Sequence, residues 1–379
     1  MSLREKIFKE IREHGPIPFS RYMELCLYDP ELGYYSRNAE QFGKAGDFYT
    51  SSDVHAVFGR LLARQFEEMW RVLGSPPQIE ILELGPGRGL FAQDVLDWSE
   101  KKFPEFFAAT HYSFCESSPA LRERLQKTLI RYFSLGKTSI ARNLNPDSVS
   151  DVPIITFANE FFDALPVEAL SAQGELRIDQ KDGRFVETWA PATAEELEFL
   201  DRYGMHPQNG ERIEAPLIAQ RYIMEAAGSV HRGFLIAIDY GYTRDELLAG
   251  RHLGTVMSYR QHSASANPYE APGEQDITAH VNFTALAGAA EQNGMQVRSL
   301  LTQSQFLLGI GETNQFADAF EECRLPQERA KVALQLKHLI TPAGMGETFH
   351  VLVASKGVDP GQVAGLSGLS FGKHGRSRS

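Results

Sequence analysis

Apolar residues recur along this chain with two periods, and the switches between them predict helices alternating with strands. Leu3, Ile7, Phe8 and Ile11 mark one side of a helix over residues 3–14, which Gly15-Pro16 stops, and a second short helix runs from about 19 to 27. Val54, Val57, Phe58, Leu61, Leu62, Phe66 and Met69 keep helical spacing in a third, with Asp53 placed to cap it. Short apolar runs predict buried strands at 79–84, from Thr110 to Glu116, at 152–158 and at 233–238, with a weaker one at 138–141. Further strands are expected at 294–303 and 347–355, and helices at about 120–132, 194–203, 216–227 and 325–339. Asp276 is expected to cap a helix that begins near Ile277.

Strands alternating with helices predict an α/β class, a Rossmann-like sheet with helices on both faces. From Val167 to Trp189 the pattern shortens around Lys181-Asp-Gly-Arg184, a hairpin signal inside an inserted α+β subdomain. The expected organisation is an N-terminal helical cap and closing loop over 1–75, a core over 76–166 and 215–356, the insertion at 167–214, and a Gly- and Ser-rich flexible tail over 357–379. At 379 residues the chain is long for one compact domain, which accords with a core carrying insertions.

Chemistry enters at Ile79-Glu-Ile-Leu-Glu-Leu-Gly-Pro-Gly-Arg-Gly-Leu-Phe91. An apolar strand there runs into an acid, Glu83, and then Gly85, Gly87 and Gly89, where a backbone without Cβ atoms can approach a ligand. The spacing is G-x-G-x-G rather than the dinucleotide G-x-G-x-x-G, and an acid at the strand end would repel a pyrophosphate. It suits the ammonium group of S-adenosylmethionine. A second acid is then expected at the next strand end to hold the ribose hydroxyls, and Glu116 stands there. The competing reading is a structural strand-to-helix turn, with Glu116 capping the helix that starts near Pro119.

In an open α/β sheet the strand ends share one crevice, so Asn159-Glu-Phe-Phe-Asp-Ala-Leu-Pro166 should face the same ligand. Gly43-Lys-Ala-Gly-Asp-Phe-Tyr-Thr-Ser-Ser52 reads as a loop able to close over it. Tyr28, Tyr34 and Tyr35 read mainly as packing of the N-terminal cap. His262 and His280 are acid/base candidates by residue type, though lone histidines in polar loops are more often structural.

Charge narrows the partners. With 38 basic and 49 acidic residues the net charge is −11, which disfavours nucleic acid and welcomes a cationic substrate. Three scattered cysteines predict a reducing compartment and no metal site. No apolar run approaches the roughly 18 residues of a membrane span, and the acidic N-terminus is unlike a targeting peptide. These features lead to the expectation of a soluble, cytoplasmic protein of bacterial type.

Gly46-Asp-Phe-Tyr-Thr-Ser51, Glu83-Leu-Gly-Pro-Gly-Arg-Gly89, Ala158-Asn-Glu-Phe-Phe-Asp-Ala-Leu-Pro166, Ile238-Asp-Tyr-Gly241, Tyr259-Arg-Gln-His262 and Asp276-Ile-Thr-Ala-His-Val281 together resemble the MidA family of methyltransferases. The resemblance runs from about residue 5 to residue 356. It implies a class I S-adenosylmethionine-dependent methyltransferase fold with an added subdomain. For the family's mitochondrial complex I assembly member it implies symmetric dimethylation of a protein arginine in a complex I subunit. Ser52 stands where the loop motif often has proline, and no mitochondrial targeting region is seen, so the substrate need not carry over.

On this reading Gly46, Asp47, Thr50, Glu83, Gly85, Gly87, Gly89, Glu116 and Asn159 bind the cofactor. Asn159, Glu160 and Asp163 form the catalytic side, Glu160 and Asp163 lying three apart on one helical turn to grip a guanidinium. Expected partners are a protein bearing the arginine and a second copy of the chain in a homodimer, without nucleic acid or membrane insertion. Two rivals remain: a small-molecule methyltransferase with Phe48, Tyr49, Phe161 and Tyr240 around its acceptor, and a non-catalytic assembly factor that binds the cofactor structurally.

Overall fold

The computed structural model describes residues 1–36, 56–141, 144, 151–247, 253–260 and 263–371. Its centre is a sheet of eight strands. Seven run side by side in the order Gln296–Thr302, Phe349–Lys356, Gly233–Tyr242, Ile154–Asn159, Ile79–Leu84, Thr110–Cys115 and Thr138–Ala141, and the short Val281–Asn282 pairs with the end of Gly233–Tyr242. The five strands from Gly233–Tyr242 to Thr138–Ala141 are mutually parallel. Phe349–Lys356 is antiparallel to both its neighbours. This is the class I methyltransferase topology.

Alternation along the strands explains why helices cover both faces. Ile79 and Ile81 point into one core cluster with Phe58, Phe66 and Phe91, while Leu82 and Leu84 point into another with Ile223, Phe283 and Leu286. The first is closed by the helices Ala56–Val72 and Leu90–Lys102, the second by Leu217–Ser229 and Phe283–Gln292.

The N-terminal helices and the insertion share one core. Ile17–Pro18 pairs antiparallel with Gly174–Lys181, and Leu3, Ile7, Tyr22 and Met23 pack with Leu176, Ile178 and Ile277. The cap thereby adds one strand to the insertion's four, completing a five-stranded sheet.

Two expectations need correction, and one helix is added. Asp276 caps no helix: Asp276–Thr278 is a strand, and the helix starts at Phe283 under Asn282, whose side chain accepts from the Ala285 N–H. The residues from 357 to 371, expected as part of a flexible tail, are built into the core. Val363 and Leu366 are buried, and Gln65 and Glu68 accept from the N–H groups of Gly368 and Ser367. Gln303–Glu312, which follows the strand at 296–302, is a further helix, opened by a capping box between Thr302 and Gln305. Among the described residues no helix is long and apolar enough to cross a membrane.

Candidate active site

The strand order reverses between Ile79–Leu84 and Ile154–Asn159, so the chains leaving their carboxyl ends diverge and open a crevice. Register decides what reaches it. Leu84 pairs with Cys115 and Ala158, and Asn159 with Ile238, which brings Gly85, Glu116 and Glu160, just past their strands, level with Asp239 near the end of its own. A cavity there is lined by Glu83, Gly85, Gly87, Glu116, Asn159 and Glu160. Tyr28, Tyr35, Phe161 and Tyr222 supply its aromatic wall.

The three glycines of the turn are left-handed, with φ of +63° at Gly85, +54° at Gly87 and +78° at Gly89. A Cβ on Gly85 would also lie 2.6 Å from Cδ2 of Phe161. Gly89 ends the turn and opens the helix Leu90–Lys102 without a side-chain cap, which leaves its first N–H groups for a ligand's carboxylate. A Cβ on Gly89 would meet Leu125 at 2.5 Å, so this glycine serves helix packing rather than the cavity.

Glu83 is 4% exposed, and Tyr112 donates its hydroxyl to Oε2 at 2.8 Å. Burial pushes its carboxyl up to about 8, with the tyrosine opposing and Glu116 adding to the shift. Glu116 is pushed up to about 7 by burial, against the N–H of Ser118, the Arg122 guanidinium and the N–H groups of Ser117 and Gly87. The Ser118 N–H lies 2.8 Å from its Oε1. Asn159 donates Nδ2 to Glu160 Oε1 at 3.1 Å, while its own Oδ1 is buried with no hydrogen-bond partner among the described residues.

These groups fit S-adenosylmethionine. A buried acid suits the ammonium group, an uncapped helix start suits the carboxylate, Glu116 suits the ribose hydroxyls, and the orphaned Asn159 oxygen offers an acceptor to a ligand N–H or O–H.

Most sequence-expected residues therefore meet: Glu83, Gly85, Gly87, Glu116, Asn159 and Glu160 around the cavity, Gly89 beneath it. Gly46, Asp47 and Thr50 lie outside the described residues, as do Phe48, Tyr49 and His262. The pairing of Glu160 with Asp163 on one helical turn is corrected. Residues 160–165 form bends and turns, because Asp239 draws the N–H groups of Phe161, Phe162 and Asp163 onto a single oxygen, and Glu160 takes φ +49°. Glu160 faces the cavity. Asp163 is buried beside Asp276 and Tyr240, and burial and then Asp276 push its carboxyl up to about 7. Of the neighbouring aromatics, Phe161 lines the cavity and Phe162 belongs to the core. His280 packs edge-on to Tyr240 with ring centres 5.0 Å apart.

Sequence reasoning missed Tyr28 and Tyr35 as cavity walls. They stack at 5.5 Å, Tyr28 donates to the Ala164 carbonyl at 3.0 Å, and Ser118 donates to the Tyr35 carbonyl at 2.8 Å. Their only signal was aromatic crowding in a turn-rich segment. It also missed Arg88 as a lining residue, although Arg88 stands between two of the quoted glycines.

A family model described as an S-adenosyl-L-methionine-dependent methyltransferase matches residues 61–301. A solved superfamily member from Burkholderia thailandensis, bound to S-adenosyl-homocysteine, is 30% identical with a TM-score of 0.84, covering 97% of this chain and 94% of that one. The Drosophila melanogaster protein named as a mitochondrial protein arginine methyltransferase NDUFAF7 homolog is 30% identical, covering 94% of this chain and 85% of its own length. The Homo sapiens protein arginine methyltransferase NDUFAF7, also named mitochondrial, is 28% identical over 92% of this chain and 82% of its own. The expectation of a cytoplasmic protein is overturned by these names, which place the curated relatives in mitochondria. With the cofactor cavity, the fold and the matched span in agreement, the chain belongs to this family of S-adenosyl-L-methionine-dependent methyltransferases.

Proposed function

We propose that this methyltransferase acts on a protein arginine. The observation that carries the reading is the position of Glu160: a carboxylate on the cavity wall, held at φ +49° beside Asn159. An acidic lining favours a cationic acceptor, and the names of the relatives supply the arginine. The resemblance extends the proposal to symmetric dimethylation of a respiratory complex I subunit.

In the proposed step a guanidinium nitrogen attacks the sulfonium methyl carbon. The N–C bond forms as the C–S bond breaks, and the electron pair returns to sulfur to give S-adenosyl-homocysteine. The nitrogen's surplus proton passes to Glu160, whose charge-assisted hydrogen bonds also orient the guanidinium. Asn159 fixes the Glu160 carboxylate from the side. Asp163, buried and proton-holding near neutrality, would shape this wall rather than touch the acceptor. Glu83, Gly85, Gly87 and Glu116 would hold the cofactor, and alignment in such a site can supply several kcal/mol, at most about 7–11.

Incubation with methyl-labelled cofactor and an extract lacking this activity tests the proposal. Label should appear in a protein band and be recovered as methylarginine after hydrolysis. Label confined to small molecules would replace this reading with a small-molecule acceptor, for which the aromatic wall of Tyr28, Tyr35 and Tyr222 would be the pocket.

A further inference from the structure

We infer that Asp239 is a positioning residue: from outside the cavity lining, it gathers the N–H groups of the turn after Asn159 and so sets the direction in which Glu160 enters the cavity. The inference rests on the proposed methyl transfer for its catalytic consequence, though not for its geometry.

Asp239 is fully buried near the end of the strand Gly233–Tyr242. Its Oδ2 accepts from the N–H groups of Phe161 at 3.1 Å, Phe162 at 2.9 Å and Asp163 at 3.2 Å. Its Oδ1 accepts from the N–H of Tyr240 at 2.9 Å. Burial, then Asp163 and Glu160, push its carboxyl well above the ordinary range, while the N–H groups of Asp163 and Phe162 oppose the shift. Four N–H donors facing its two oxygens favour the ionised form, which offers acceptors and no hydrogen. Asparagine would turn an NH2 group toward one side of this arrangement.

The consequence falls on Glu160. Its own N–H still donates to the Ile238 carbonyl at 2.9 Å, so strand pairing continues to that residue. The next three N–H groups converge on one oxygen, and the chain must reverse within a single position. Glu160 makes the reversal in the left-handed region, which non-glycine side chains seldom adopt without surrounding structure to hold them. Phe161 also packs against the glycine loop, so closely that a Cβ on Gly85 would lie 2.6 Å from its ring. The turn is thus fastened by Asp239 and in contact with Gly85.

The test uses Asp239→Ala and Asp239→Asn in the full chain with three readouts. These are amide hydrogen exchange at 160–165, calorimetric Kd for S-adenosyl-homocysteine, and the rate of label transfer into extract protein. In the alanine variant, exchange at 161–163 should rise at least tenfold while the rest of the sheet is unchanged. Kd should stay within threefold and the transfer rate should fall at least thirtyfold. The asparagine variant, which keeps an acceptor for the turn, should retain most of the protection and recover part of the rate. Unchanged protection in the alanine variant would overturn the inference. So would a fall in protection across the whole sheet together with lost cofactor affinity, since that marks general destabilisation. If the unaltered protein labels no extract protein, the acceptor reading fails, while the exchange and affinity arms still decide the role of Asp239.

Discussion

Carboxylates crowd both the crevice and the inserted sheet, and their surroundings differ. At the insertion, oxygens of Glu168, Glu175 and Glu196 all lie within 4.8 Å of one another, a closer gathering than any sequence motif announced. There, however, each acid is answered by its own fold. Ser20 donates to Glu168 at 2.5 Å, Arg177 to Glu175 at 3.0 Å, and the Thr193 N–H to Glu196 at 2.6 Å as half of a capping box. In the crevice Glu83, Glu116 and Glu160 are supported from one side and face a cavity on the other, next to an Asn159 oxygen with no partner among the described residues. Burial raises acids in both places. Crowded, perturbed acids therefore do not mark a site by themselves; recognition atoms left facing a cavity do.

The comparison breaks most sharply at Glu160. Replacing it by Gln should lower methyl transfer at least about a hundredfold, the usual contribution of a positioned base, and leave the Kd for S-adenosyl-homocysteine unchanged. Normal transfer in that variant would remove Glu160 from the mechanism and leave the crevice acids with cofactor binding alone.

Gly85→Val should come next. The valine would face φ +63° and a contact at 2.6 Å with Phe161, so cofactor affinity should fall by about fiftyfold or more in calorimetry, through distortion of the turn. Cofactor binding kept within a few-fold would mean that the glycine loop gives way more easily than its packing implies.

The pH dependence sharpens the contrast further. Glu83, at about 8, and Glu116, at about 7, hold protons in the folded cofactor-free chain that the unfolded chain releases near pH 4–5. Their contribution to stability is complete below that range and is lost as pH rises through 7 and 8, so the cofactor-free midpoint of unfolding should fall over this window. An ammonium group beside Glu83 favours the ionised form. Saturating S-adenosyl-homocysteine should then stabilise more at pH 8 than at pH 6, and Glu83→Gln should weaken binding by about tenfold at pH 8 and less at pH 6. A ligand effect independent of pH in both proteins would separate Glu83 from the ammonium group.

What the sequence disclosed follows the same division. The sheet was legible because buried parallel strands are short apolar runs, and Glu83 and Glu116 were legible because each ends such a run. Glu160 was found through its place after Asn159, but its geometry was not. Spacing suggested a helical turn shared with Asp163, whereas the outcome depends on Asp239, 76 residues beyond Asp163 in sequence, accepting three N–H groups. Tyr28 and Tyr35 were hidden for a similar reason: their segment reaches the cavity through Ala164 and Ser118, contacts with no local periodicity. The tail read as flexible from its glycines and serines, yet Val363 and Leu366 suffice to anchor 357–371 once the helix Ala56–Val72 offers Gln65 and Glu68.

The smallest expected effect is at the insertion. Glu168 is raised by burial, with Ser20 opposing and Glu175 and Glu196 adding to the shift, and its Oε2 is buried with no hydrogen bond among the described residues. Ionising it near neutral pH therefore costs stability, and Glu168→Gln removes that charge while keeping an oxygen for Ser20. Its amide would also point two hydrogens toward the other carboxylates. Denaturant unfolding should show the variant slightly more stable at pH 7.5, with the gain shrinking as pH falls towards 4, where the carboxyl takes up its proton. Cofactor affinity and methyl transfer should not change, and EDTA should leave the unfolding midpoint of the unaltered protein where it was. A loss of stability in the variant together with a drop on adding EDTA would mean that these three acids also face a ligand, a cation, and the distinction between the two clusters would fall.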